Sequence, residues 1–215
     1  MSLMNIAEQK PYFGANYDVG YIGFTVTKAS FVSAGISWFT KWDALPKVPR
    51  PTHCFIVTGA DETVEAFPHG VARGNLSSKL ADKDVAVLIR RPRYYNTDMG
   101  ERIALHAAEY VGEKYGYWLV AMHAVAGSIV GRLFSTLTRG WFERLVTSIG
   151  DKKQQQMCSE LCARVLQMEP QLELLGILQD PARTITPIEL FTDPYCFEPP
   201  EYAVKLTGEI QSSKS

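Results

Sequence analysis

The 215-residue chain is 46% hydrophobic and 11% aromatic with a formal net charge of −1, which supports a packed core and excludes an intrinsically disordered polypeptide. The near-neutral balance removes the electrostatic basis for a nucleic-acid partner; the one short basic cluster, Arg90-Arg91-Pro92-Arg93, reads as a solvated strand end. Four cysteines are too few for a disulfide scaffold and none stands in a C-x-x-C pair. A zinc site would have to join His53 and Cys54 to Cys158 and Cys162, so neither metal nor other cofactor is expected.

Met1 to Lys10 lacks an apolar stretch of the kind that drives secretion, and Met1-Ser2-Leu3 ahead of Met4 reads as vector residue. Cytoplasmic location is the default expectation, although a trimmed secretory signal would leave the same start. Residues 1–18 are read as an N-terminal tail, 19–210 as one domain with a helical insertion at about 118–150, and 211–215 as a disordered tail.

In chain order, Tyr21 to Val26 is rich in β-branched and aromatic residues and predicts a strand. Ser30 to Trp42 is apolar and reads as a helix or lining loop, ended by Pro46, Pro49 and Pro51. Thr52 to Val57 and Thr63 to Phe67 read as two strands around the Gly59-Ala60-Asp61 turn, an antiparallel hairpin; Pro68 to Val71 continues or ends it. Val85 to Ile89 is an apolar third strand. Met99 to Tyr115 has helical spacing through Ile103, Leu105, Ala107, Ala108, Tyr110 and Val111. Trp118 to Leu137 is apolar enough to raise the question of a membrane span, but His123, Arg132 and two glycines favour a buried or interfacial helical pair. Cys158 to Met168 predicts a helix stopped near Pro170, and Thr186-Pro187-Ile188-Glu189 has the form of a helix start.

Thiol catalysis needs a thiolate, a base to make it and a group to orient the base. A cysteine at a helix N-terminus has free N–H groups and the helix dipole to stabilise negative charge, and Cys158 follows a polar run at 151–156 and opens an apolar helix. His53 lies on the first strand of the hairpin and Glu65 on the second, at near-mirror positions about the turn. Cross-strand neighbours have Cβ atoms about 4.5–5.5 Å apart, so the carboxylate can hold one imidazole nitrogen and leave the other for the thiol. Taken singly, each residue has a plainer explanation: a structural strand histidine, a small buried cysteine, a solvent-facing glutamate.

Thr52-His53, Val64-Glu65-Ala66, Gly112-Glu113-Lys114-Tyr115-Gly116-Tyr117 and Cys158-Ser159-Glu160-Leu161 together resemble the circularly permuted branch of the NlpC-type papain-like cysteine hydrolases, the YiiX-like or YaeF-like group, which is related to the lecithin:retinol acyltransferases. The resemblance covers roughly residues 19 to 191. It implies an α+β fold with an antiparallel sheet or barrel packed against helices. It further implies Cys158 as nucleophile, His53 as general base and Glu65 as third member, with Tyr117 in the substrate pocket. Tyr21, in Gly20-Tyr21-Ile22, departs from the family's usual Gly-Asp start and is read with His69 as a lining residue. The Cys158 backbone N–H is the natural oxyanion donor.

Two substrate classes follow. A cysteine peptidase or amidase would take a small peptide, such as a cell-wall fragment. A lipid-directed acyltransferase or thioesterase would use the apolar stretch at 118–137 and the aromatics Phe31, Trp38, Phe39 and Trp42; direct membrane contact is the less favoured arrangement. A third reading is a binding module that keeps the fold without chemistry. The oligomeric state is not legible.

Overall fold

The computed structural model describes residues 6–27, 49–67, 70–113, 157–199 and 203–211. Within them one mixed sheet of seven strands has the spatial order β1-β7-β6-β2-β3-β4-β5. The strands are β1 Ala7–Gln9, β2 Ile22–Thr27, β3 His53–Val57, β4 Glu62–Phe67, β5 Gly70–Asn75, β6 Val85–Arg90 and β7 Val204–Leu206. All neighbours are antiparallel except β1 with β7. The sheet is open, with β1 and β5 as its edges, so the fold is α+β and the barrel form is not adopted.

β2 is buried from Ile22 through Val26, as expected of a strand flanked on both sides by partners and covered on both faces. Alternation along the strands divides the core in two. One face carries Phe24, Cys54, Ile56, Val64, Ala66 and Leu88, and packs against the helices. The other carries Tyr21, Phe55, Val57, Val87 and Ile89, with Tyr17 and Leu76 beneath them. Part of the segment read as a tail thus belongs to the fold. β1 pairs with β7 in parallel, and the fully buried Tyr17 donates from its hydroxyl to Ala60 O at 2.6 Å.

Four helices matter here. Helix α1, Leu76–Ala81, follows β5 directly. Helix α2, Thr97–Glu109, is capped by the Asn96 side chain, which accepts from the Met99 N–H at 2.8 Å. It buries Met99, Ile103 and Ala107, one helical turn apart. It ends six residues before the expected Tyr115, because the chain beyond it pairs with β5: Gly112 N–H donates to Val71 O and Val71 N–H to Glu113 O. Leu105 and Val111, two of the apolar residues in that helical spacing, are exposed.

The described residues are helical over 157–167, here α3. Residues Cys158, Leu161, Cys162, Val165 and Leu166 turn into the core. Ser159 Oγ donates to Ile185 O at 2.5 Å, and Gln167 Nε2 donates to Leu178 O and Asp180 O, which fixes the helix against the following loop. Helix α4, Pro187–Thr192, starts with Thr186 and Glu189 capping each other, a pattern that satisfies two orphan donors.

Arg90 is corrected from a solvated strand end to one of the largest fully buried side chains. It donates to the carbonyls of Phe191, Asp193 and Glu198 and lies over the rings of Phe191 and Phe197. Those acceptors come from a segment about a hundred residues away, so no local pattern announces them. No helix among the described residues is long and apolar enough to cross a membrane. The stretches 30–42 and 118–150 lie outside the described residues.

Candidate active site

β3 and β4 bring His53 and Glu65 together, in a register different from the mirror arrangement expected. The ladder pairs Ile56 with Val64 and Val57 with Thr63, which places Phe55 opposite Glu65 and sets His53 on the diagonal. A slip of one residue would have turned the carboxylate to the other face; a slip of two keeps it on the same one. His53 Nε2 and Glu65 Oε2 are 2.8 Å apart.

Glu65 is only 1% exposed, and every side of its carboxylate is occupied. Oε1 accepts from Lys79 Nζ at 2.6 Å and from Thr63 Oγ1 at 3.0 Å. Lys79, from α1, reaches in across the Phe55 ring, with its nitrogen 5.2 Å from the ring centroid. Space for the carboxylate comes from Gly74 on β5, where a β-carbon would lie 2.1 Å from Oε1. Burial works against ionisation of Glu65, but the hydrogen bond to His53 and the Lys79 charge hold it below its ordinary value.

His53 therefore has one nitrogen committed. The other, Nδ1, is buried without a hydrogen bond of good geometry. The Cys158 sulfur is the group that interacts with this imidazole, an alignment of the kind that often tightens only when substrate binds. Burial favours the neutral imidazole, yet Cys158 and then Glu65 outweigh it and raise His53 to about 9. Cys158 moves the opposite way. Burial opposes its thiolate, but the neighbouring Cys54 thiol and then the His53 imidazolium bring it down to about 5. Between these values the stable pair is thiolate and imidazolium.

Glu65 and Cys158 approach from opposite faces of the sheet. Glu65 alternates with Val64 and Ala66, which belong to the helix-covered core together with Cys158. His53, the first residue of β3, spans the two. Cys158 is fully buried, whereas 14% of the His53 side chain and 14% of the Lys79 side chain are exposed.

Tyr21, expected to line the site, is a buried residue of the core. It packs edge-to-face on Tyr95 at 4.8 Å, within the cluster on the face away from Cys158. His69 and Tyr117 lie outside the described residues, as do residues 151–156 ahead of Cys158. Sequence reasoning missed Lys79, Thr63, Gly74 and Cys54. Only Thr63 carried a usable signal, two residues from Glu65 on one strand face; Lys79 and Gly74 arrive through β5 and α1, whose placement against β4 is not written locally. Among the described residues no group of three or more His, Cys, Asp or Glu side chains is arranged to hold a metal ion. Comparison of the chain with protein-family models, curated proteins and solved structures returns no match, so the geometry of this cluster carries the functional argument.

Proposed function

We propose that the protein is a cysteine hydrolase of the permuted NlpC-type papain-like kind, cleaving an amide bond in a small peptide. The single observation that supports this most is the buried relay Lys79–Glu65–His53–Cys158, in which a histidine and a cysteine shift in opposite directions. An α+β fold with helices packed on a largely antiparallel sheet agrees with that family. A lipid-directed acyl enzyme would draw its support from residues 118–137, which lie outside the described part of the chain, so no described feature favours it.

In this reading the Cys158 thiolate attacks the scissile carbonyl carbon and the carbonyl π pair moves to oxygen. The Cys158 N–H is the expected donor to that oxyanion, and one such donor typically contributes about 2.7–4 kcal/mol. The tetrahedral adduct collapses as the C–N bond breaks and His53 gives its proton to the departing amine. His53, now neutral, takes a proton from water, whose oxygen attacks the thioester; cleavage of the C–S bond returns the thiolate, the imidazolium and a free carboxylic acid. Glu65 keeps the imidazole oriented and its cationic form stable throughout.

The test is intact-mass spectrometry of the full chain during turnover of a panel of peptide p-nitroanilides and fatty-acyl thioesters. An acyl adduct on Cys158 formed from peptides, absent in Cys158→Ala, is the expected result. Adducts formed only from acyl thioesters would move the assignment to lipid chemistry, and hydrolysis that survives Cys158→Ala would end it.

A further inference from the structure

The mechanism leaves two buried thiols unused. Cys54 follows His53 on β3 and points to the opposite face, into the helix-covered core. There its thiol has Cys158 as a neighbour, and also Cys162, one turn further along α3. All three are fully buried and none is in a disulfide. A small apolar residue would fill this position equally well. What the thiol adds is a second sulfur beside the first in the same buried cluster, the neighbourhood from which a disulfide can be drawn.

We infer that Cys54 is a resolving cysteine for Cys158, so that hydrogen peroxide converts the pair to a Cys54–Cys158 disulfide and switches the site off reversibly. The inference rests on the reading of Cys158 as the reactive thiolate, and it is independent of which substrate the site hydrolyses. The thiolate attacks one peroxide oxygen and the O–O bond breaks. Cys158 becomes a sulfenic acid, and hydroxide leaves with a proton from His53 as water. The Cys54 sulfur then attacks the Cys158 sulfur, the S–O bond breaks, and the sulfenic oxygen leaves as a second water with the Cys54 proton. Two thiols lose two electrons and one peroxide becomes two waters. Burial holds the Cys54 proton most strongly and the Cys158 anion adds to it; oxidation of Cys158 removes that second contribution. Reactive cysteines beside a resolving partner stop at the disulfide, whereas those without one go on to sulfinic acid, which ordinary thiols do not reverse.

The experiment treats the full-length reduced protein with graded hydrogen peroxide, blocks remaining thiols and maps peptides without reduction. The expected first product is the Cys54–Cys158 linked peptide. Dithiothreitol should return at least about nine-tenths of Cys158 alkylation, whereas Cys54→Ser should accumulate Cys158 sulfinic acid and regain little. Sulfinic acid as the first wild-type product, a Cys54–Cys162 link instead, or equal recovery in Cys54→Ser and wild type would overturn the inference. Should the disulfide form while no substrate ever acylates Cys158, the hydrolase reading fails and the redox pair stands. Should acylation occur without a disulfide, the reverse holds.

Discussion

Cys158 and Cys196 are both fully buried cysteines in the same core, yet their thiols are driven apart. Burial and the neighbouring Asp193 carboxylate push Cys196 up to about 12, and its Sγ donates to Leu175 O at 3.2 Å. Burial acts on Cys158 in the same sense, but there the Cys54 thiol and the His53 imidazolium win and bring it down to about 5. The difference lies in the neighbours, not in the degree of burial. Around Cys196 the polar groups are satisfied by backbone: Asp193 accepts from the N–H groups of Ile177, Tyr195 and Cys196 at 2.7–2.8 Å, and Arg90 donates to three carbonyls. Around Cys158 they are satisfied by one another's ionisable side chains, with one imidazole nitrogen still uncommitted. The first arrangement closes a fold; the second can move a proton.

The contrast can be broken from the Cys158 side most strongly. With His53→Ala the cysteine loses its cationic neighbour and becomes more like Cys196. A thiol returned to the free value of about 8.5 is only a few per cent ionised at pH 7, so alkylation of Cys158 should slow by at least about thirtyfold. Peptide hydrolysis should fall by about 10²–10⁴, the range for a positioned acid–base group. On the other side, Asp193→Ala strands three N–H groups in or near the core, each costing about 1–3 kcal/mol. Denaturant titration should show a loss of about 3 kcal/mol or more, while Cys158 alkylation under folding conditions stays within about twofold of wild type. The smallest effect belongs to Lys79→Met, which should slow Cys158 alkylation by about tenfold, equivalent to one hydrogen bond to a charged group at about 1.5 kcal/mol. In a Glu65→Gln background the same change should matter by less than about twofold, because residues acting through one carboxylate are not additive. Additive losses would show that Lys79 acts apart from Glu65.

Much of this was legible from the residues. The strands around Tyr21–Val26, the 53–67 hairpin and Val85–Ile89 follow from β-branched and aromatic runs broken by Gly and Asp, and the Thr186–Glu189 cap from its own spacing. The facing of His53 and Glu65 was also readable, because parity survives the two-residue error in register. What escaped the sequence is long-range. β1 and β7 are three residues each and find one another across nearly the whole described chain. Arg90 looked like surface because its carbonyl partners lie beyond residue 190. Lys79 reaches Glu65 only once β5 has folded back on β4, and a glycine at 74 declares nothing until the carboxylate it accommodates is in place.

The most direct measurement is the pH dependence of Cys158 alkylation in the full chain, with each cysteine resolved by mass. Because the folded thiol lies below its ordinary value, the thiolate should already be present above about pH 5 and be lost only as the pH falls through that value. Peptide hydrolysis, which also needs the imidazolium, should decline as the pH rises through about 9. The account predicts a Cys158 limb near pH 5 that moves upward by several units in His53→Ala. A Cys158 limb at 8 or above in the wild type, or one that His53→Ala leaves in place, would contradict it.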